Sequence, residues 1–219
     1  MNKWCLELLK EHRSLLCFIV LMSVFRSSFA DWNTVPTGSM KPTILEGDRI
    51  LVNKMAYDIR VPFTLTSLYK RADPVRGDII VFDSQVSDLK LVKRVIGVPG
   101  DVVELTDNVL RINGTQLSYE SVSSTGSTQD FAEDLMGVEH YVRVSKSGSA
   151  LSSFKPVIVP ADTYLALGDN RDNSSDSRVI GFVPRREVVG RTRSVVMSFN
   201  YDNYYIPRSD RFFHALVND

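Results

Sequence analysis

Two kinds of hydrophobic pattern divide the chain. From Leu15 to Phe25 it reads LLCFIVLMSVF, an apolar run broken only by Ser23. After that run, short β-branched stretches alternate with turn residues: Arg49 to Val52, Asp78 to Phe82, Leu91 to Val98, Val102 to Leu105, Val109 to Ile112, Tyr164 to Leu167 and Arg193 to Phe199. Runs of this length and spacing predict strands and a mainly β architecture. Pro99-Gly100-Asp101 and Asn113-Gly114 supply turn chemistry between them, the second being a favoured two-residue hairpin connection. From Thr115 to about Pro160 the composition shifts to Ser, Thr and Gly, as in SVSSTGSTQ and SKSGSALSS, and the periodicity weakens. That stretch predicts an insert or second lobe. No internal repeat is visible.

The N-terminal apolar run is preceded by Lys3, Lys10 and Arg13 and followed by Arg26. Its pattern supports two readings. A cleaved secretory signal has a basic start, an apolar centre of this length and a small-residue end, for which Ser28-Phe29-Ala30 would serve. A membrane anchor needs about 20 apolar residues, which the run approaches by borrowing Leu8, Leu9 and Ser27 to Trp32 while Arg26 snorkels toward the headgroups. Under either reading the positive-inside rule keeps the N-terminus cytoplasmic and sends the rest of the chain across the membrane.

Composition narrows the function classes. The chain has 219 residues, 43% of them hydrophobic, enough for one extended domain or a compact domain with a large insert. Its 26 basic and 26 acidic side chains cancel, so no strongly positive field points to a nucleic-acid partner. Cys5 and Cys17 both lie at or before the end of the apolar run, which leaves the remainder without disulfides or a thiolate metal site.

Candidate chemistry centres on PTGSMKPTI at Pro36 to Ile44. Pro36 and Pro42 stiffen its flanks, and Gly38 allows a backbone conformation that presents Ser39 outward. A serine nucleophile needs a base. His12 precedes the apolar run, His140 falls in the insert and His214 in the tail, and none has a motif around it. Lys93, in LKLVKRVIGVPGD, is the stronger candidate. Alternation puts Leu91, Lys93 and Val95 on one face and Val92, Arg94 and Ile96 on the other, so the amine is placed for desolvation. Acting as a base near neutrality requires its pKa to fall from about 10.4 to about 7 or 8. The competing reading is that Lys93 and Arg94 are charged protectors of an edge strand.

A third stretch, GDNRDNSSDSR at Gly168 to Arg178, reads as a solvated loop of Asx turns or as a rigid polar wall. A calcium loop built on Asp169, Asp172 and Asp176 fits poorly, since the glycine and terminal glutamate of an EF-hand are missing. As a wall, Ser174 would orient a lysine ammonium, with Asp176 and Arg178 fixing the loop.

Together with RGDIIVF at Arg76 to Phe82 and GFVP at Gly181 to Pro184, these three stretches resemble, in order, the motifs of the bacterial type I signal peptidases. The resemblance runs from the apolar segment to near residue 191. It implies a signal-peptidase-like antiparallel β catalytic domain with a β-rich insert and one N-terminal transmembrane helix. The implied boundaries are a cytoplasmic N-terminus at 1–13, an uncleaved anchor at 14–32, a catalytic domain at 33–114 and 161–219, and an inserted lobe at 115–160.

The implied activity is a serine endopeptidase that removes signal peptides from exported preproteins after small residues (Ala-X-Ala), without metal or cofactor. Carried over position by position, Ser39 is the nucleophile and Lys93 the general base, with Ser174 orienting the Lys93 amine and Asp176 and Arg178 supporting it. The Ser39 backbone N–H and the Thr37 hydroxyl would meet the oxyanion. Val35, Met40, Ile44 and Val92 match positions that line the pockets. Thr37 departs from the serine of most familiar members; its methyl group restricts the rotamer that presents the donor. The expected partners are signal peptides and the lipid bilayer, with no nucleic acid, and the chain is expected to be a monomer. The expected location is the bacterial inner membrane, single-pass, with the catalytic domain on the periplasmic side. Two other readings stay open on sequence: a specialised maturation peptidase of a conjugation or secretion system, and an anchored β-domain that binds a partner without catalysis.

Overall fold

The structure is a computed structural model that describes residues 12–64, 66–201 and 203–216. The expected cytoplasmic N-terminus therefore lies, up to residue 11, outside the described residues. Helix α1, Arg13–Ser28, carries the apolar run with Leu15, Phe18, Val20 and Leu21 all exposed. It is 16 residues, about 24 Å by helical rise, and no helix among the described residues is long and apolar enough to cross a membrane.

The segment expected to continue the anchor to Trp32 does not remain helical. Ala30–Thr34 forms strand β1, antiparallel to β2 (Asp48–Asn53), with Ala30 opposite Asn53 and Thr34 opposite Arg49. The ladder with β2 engages one edge of residues 30–34. The Lys54 ammonium ends the helix by donating to the carbonyls of Arg26 (2.8 Å) and Ser27 (3.4 Å), where a helix leaves acceptors unpaired.

A short hairpin of β3 (Asp58–Arg60) and β4 (Ser67–Lys70) precedes β5 (Ile79–Ser84) and β6 (Leu89–Gly97). A second layer follows: β7 (Val102–Thr106), β8 (Val109–Ile112), β9 (Thr115–Gln116), β10 (Ser118–Thr125), β11 (Thr128–Asp134), β12 (Glu139–Ser145) and β13 (Phe154–Ile158). The chain then returns through β14 (Thr163–Leu167), a one-turn helix α2 (Ser177–Ile180), β15 (Val183–Pro184), the long β16 (Val188–Asn200), β17 (Ile206–Pro207) and β18 (His214–Ala215). The main sheet runs β1-β2-β16-β5-β6-β14-β15, with β17 and β18 also paired to β16.

The expected strands between Arg49 and Phe199 are present, and Asn113-Gly114 makes the β8–β9 hairpin, with Ile112 opposite Thr115. β7 pairs with β13, in the order β13-β7-β8-β9, so this sheet draws strands from both sides of residue 115. The serine-rich stretch from Ser118 to Thr125 is a strand, paired to β11, whose side chains are almost all exposed. Its backbone ladder needs no apolar alternation, which explains why periodicity did not reveal it.

Three apolar clusters build the interior. One, with Ile96, Val103, Leu110 and Leu167, fastens the lobe to the main sheet. A second, with Val35, Met40, Ile44, Ile50, Val81 and Val195, lies beneath the Ser39 turn. The third, with Tyr57, Ile80, Phe82, Val95 and Ala166, packs against the β3–β4 side. The C-terminal tail joins this core: Leu216 is buried, and Arg211 donates to both oxygens of buried Asp48, at 3.1 and 2.6 Å.

Candidate active site

The turn at Pro36 to Ile44 is held from inside by its apolar residues. Val35, Met40 and Ile44 are buried in the second cluster, and the backbone bonds Lys41 N–H to Gly38 O (3.1 Å) and Ile44 N–H to Met40 O (2.9 Å) close the bend. Ser39 is left half-buried between them. A side chain at Gly38 would meet the ends of the Glu46 and Lys41 side chains at 2.9 and 3.1 Å, which would have to move aside to admit it.

Lys93 arrives from β6, 54 residues away in sequence, and its Nζ donates to Ser39 Oγ at 2.6 Å. The lysine is 2% exposed. Burial lowers its pKa from the ordinary value to about 8; Asp176 and Asp169 push back upward, and Arg178 lowers it further. Among the described residues, Lys93 forms no ion pair, and neither His140 nor His214 hydrogen-bonds to Ser39. The edge-strand reading of the Lys93-Arg94 pair fails: both residues are buried, and β6 is flanked by β5 and, from Arg94 onward, by β14.

Arg94 answers its burial differently. Its guanidinium donates to both oxygens of Asp169 at 2.9 and 2.8 Å and to Gly77 O at 3.0 Å, while the Thr43 hydroxyl donates to the same carboxylate at 2.5 Å. Burial alone would raise the Asp169 pKa, but Arg94 holds it below the usual carboxylate range.

The Gly168–Arg178 loop is a rigid wall. The Asp176 carboxylate accepts from the Gly168 N–H at 3.0 Å and from Arg178 Nε and Nη2 at 2.8 and 2.6 Å. Arg178 in turn donates to Leu151 O and Arg171 O, each at 2.6 Å. Gly168 has no room for a side chain, because a Cβ there would collide with Ser174 and with the Ser39 carbonyl. Ser174 is buried beside the dyad, but its Oγ has no hydrogen-bond partner and the expected bond to Lys93 is not formed.

Sequence reasoning missed Asn170 and the lobe's grip on the loop. The Asn170 backbone N–H donates to Ser39 O at 3.1 Å, and its Nδ2 donates to Gly38 O at 2.9 Å. From the lobe, Arg143 N–H donates to Asp169 O and Arg171 N–H to Arg143 O, both at 2.8 Å. Arg171 is clamped by buried Glu133 at 2.8 and 2.7 Å, and the Tyr119 hydroxyl donates to that carboxylate at 2.5 Å. His140 Nε2 stands 3.2 Å from Glu133 as well. The serine-rich turn converges on Asp172, which accepts from the Ser145 N–H at 2.8 Å and from the Ser149 and Ser152 hydroxyls at 2.7 Å. No group of acidic, His or Cys side chains able to hold a metal ion occurs among the described residues.

A groove of about 490 Å³ opens beside the dyad, lined by Ser39, Lys93, Thr37, Val35, Leu91 and Val92, among others. Thr37 is exposed on its wall. Of the expected pocket residues, Val35 and Val92 line the groove, whereas Met40 and Ile44, at 1% and 0% exposure, stand behind the wall in the core. A larger hollow of about 590 Å³ in the lobe shares no lining residue with this groove.

The family described as "Signal peptidase, peptidase S26" matches residues 7–197. Signal peptidase I of Pseudomonas aeruginosa is 39% identical over 198 residues, covering 83% of this chain and 69% of that protein. A probable signal peptidase I-2 of Synechocystis is 32% identical over 197 residues, covering 87% and 72%. The crystal structure of a signal peptidase I from Enterococcus faecalis aligns with a TM-score of 0.37 and 32% identity, over 55% of this chain and 97% of that one.

Proposed function

The chain belongs to the signal peptidase family, peptidase S26, and from that premise we propose that it is a membrane-anchored serine endopeptidase that cleaves signal peptides from exported preproteins after Ala-X-Ala. The observation that carries the reading is a buried, unpaired amine on Ser39 Oγ at 2.6 Å. When Lys93 is neutral, the Ser39 hydroxyl donates to it. The hydroxyl oxygen then attacks the scissile carbonyl as its proton passes to Lys93 Nζ. The new Oγ–C bond gives a tetrahedral oxyanion next to the Ser39 N–H and the Thr37 hydroxyl. Collapse breaks the C–N bond and the Lys93 ammonium gives its proton to the leaving amine; a water then attacks the acyl carbon as Lys93 takes its proton, the Ser39 Oγ–C bond breaks, and Lys93 returns that proton to Ser39 Oγ.

The substrate side follows from the groove. β6 pairs with β14 only from Arg94 onward, so along Leu89 to Lys93 its second edge is open to an extended peptide, with Val35 and Val92 beside the cleaved bond. Shallow apolar walls admit alanine and reject bulky side chains by clash. Covering the groove with peptide also keeps water from Lys93.

Helix α1 serves as a single anchor, supported by apolar side chains that stay exposed in the described fold. The N-terminus would then face the cytoplasm and the β domain the extracytoplasmic side of the inner membrane. Processing of a purified preprotein in detergent, by the wild-type chain and Ser39→Ala in parallel with product masses, tests the reading. Cleavage after the second alanine by wild type alone is expected; equal cleavage by both would remove Ser39 as the nucleophile.

A further inference from the structure

We infer that Asn170 is a positioning residue for the reaction: by holding the Gly38–Ser39 peptide unit, it aims the Ser39 N–H at the oxyanion. The inference rests on the Ser39 reading above. It begins with the planarity of the peptide. In a trans unit the carbonyl of residue 38 and the N–H of residue 39 lie in one plane and point in opposite directions, so fixing one fixes the other.

Asn170 holds that carbonyl from the loop side, alongside the turn's own bond from the Lys41 N–H at 3.1 Å. Its Nδ2 donates to Gly38 O at 2.9 Å in a buried setting, and its backbone N–H donates to the next carbonyl, Ser39 O, at 3.1 Å. A carbonyl oxygen accepts and never donates, so the amide must present its nitrogen there. With Gly38 O turned inward to Asn170, the Ser39 N–H turns outward, and it has no acceptor among the described residues. Ser39 lines the groove, and Thr37 stands two residues before it on the same wall. The donor is thus held ready before substrate arrives, which is the arrangement that makes an oxyanion donor effective. A hydrogen bond received at the carbonyl also polarises the peptide and strengthens the N–H as a donor.

Asn170 is itself immobilised. The Arg143 main chain bonds to the carbonyl before it and the N–H after it, forming a parallel bridge that ties the aim of the donor to the lobe. Lys93 has no part in this device, so it separates from the proton-transfer step.

The experiment compares the full-length wild type with Asn170→Ala and with the isosteric Asn170→Asp, which offers a carboxylate to Gly38 O in place of a donor. Each is assayed for cleavage of an Ala-X-Ala peptide across pH. Each is also titrated with the matching peptide aldehyde, whose adduct on Ser39 carries the oxyanion. The expected result is a fall in kcat of about 10²-fold, the scale on which an oxyanion donor acts. KM should stay within about twofold and aldehyde affinity should fall in parallel with kcat in both variants; in the uncharged Asn170→Ala the pH midpoint near 8 should not move, whereas the added carboxylate of Asn170→Asp should raise it. A merely structural residue would lower the active fraction and leave aldehyde affinity of the remainder intact.

If both variants misfold, a crystal structure of the wild-type aldehyde adduct decides. The adduct oxygen should lie about 2.7–3.1 Å from the Ser39 nitrogen with the Asn170 bond to Gly38 O kept. A rotated Gly38–Ser39 peptide, or variants with wild-type kcat and aldehyde affinity, overturns the inference while leaving the dyad standing. A wild type that neither cleaves the peptide nor forms the adduct overturns both.

Discussion

Lys93 and Arg94 are neighbours on one strand, both buried, and they meet opposite fates. Arg94 is surrounded by acceptors: a carboxylate held at two points and a backbone carbonyl. Lys93 has a serine hydroxyl and, nearby but out of contact, the charges of Asp176, Asp169 and Arg178. Burial with a partner makes a strut, since a compensated charge stays ionised. Burial without one makes a base, because desolvation then falls wholly on the charged form and brings the lysine to about 8. The polypeptide produces both by stepping one residue along β6.

The most severe way to break the comparison is Lys93→Met, which removes the base but keeps the volume. Turnover should fall by at least about 10⁴-fold, as for a member of a catalytic dyad. The folded protein should nevertheless gain stability at neutral pH. A folded-state lysine pKa of about 8 against 10.5 unfolded means that, between those values, the unfolded wild type binds more protons and wild-type stability rises with pH. Below pH 8 the full penalty, on the order of 3 kcal/mol, is present in the wild type and absent from the variant. Thermal melts of the two proteins from pH 6 to pH 10 should therefore show the variant's advantage shrinking above pH 8. A constant difference would mean that Lys93 is not desolvated.

Asp169→Asn turns Arg94 into the unpartnered case. An uncompensated buried guanidinium cannot discharge itself as an amine can, so the loss should be about 3–5 kcal/mol, read from denaturant midpoints. Activity of the folded remainder should rise at a lower pH than in wild type, since Asp169 is one of the charges that raise the Lys93 pKa. Thr37→Val removes the hydroxyl from the groove wall. If Thr37 meets the oxyanion, kcat should fall by about 10²-fold, and Thr37→Ser should restore it. The mildest test leaves the chain intact: kcat/KM should climb about tenfold per pH unit below about 8 and level off above it. A flat profile down to pH 6 would exclude Lys93 as the base.

What could be read from the sequence follows the range over which each feature is specified. The proposed nucleophile, the proposed base and most strands lie in short runs whose meaning is local: a glycine-proline turn, an alternating strand, a hairpin dipeptide. Asn170 and Glu133 are different. Their roles depend on carbonyls and side chains brought from 132 and 38 residues away, and a polar residue in a polar loop gives no local sign of that. The helix expected through Trp32 stops at Ser28 for a related reason. Trp32 is apolar enough for a membrane helix, but the partner that claims its backbone, Leu51, is visible only once β2 is in place. Ser174 shows the reverse limit: its position beside the dyad was legible, while its hydroxyl finds no partner.

The way the tail and the loop close the site also sets when the enzyme can begin to work. Ser39 meets Lys93 after 54 residues and Asn170 after 132, and the Asp48 beneath the turn receives its arginine after 163. Such distant contacts form late, because long loops must close before they are rewarded. A chain made from its N-terminus would thus carry Ser39 early and complete the surroundings of that serine only when its last strands arrive. The protease is delivered unarmed.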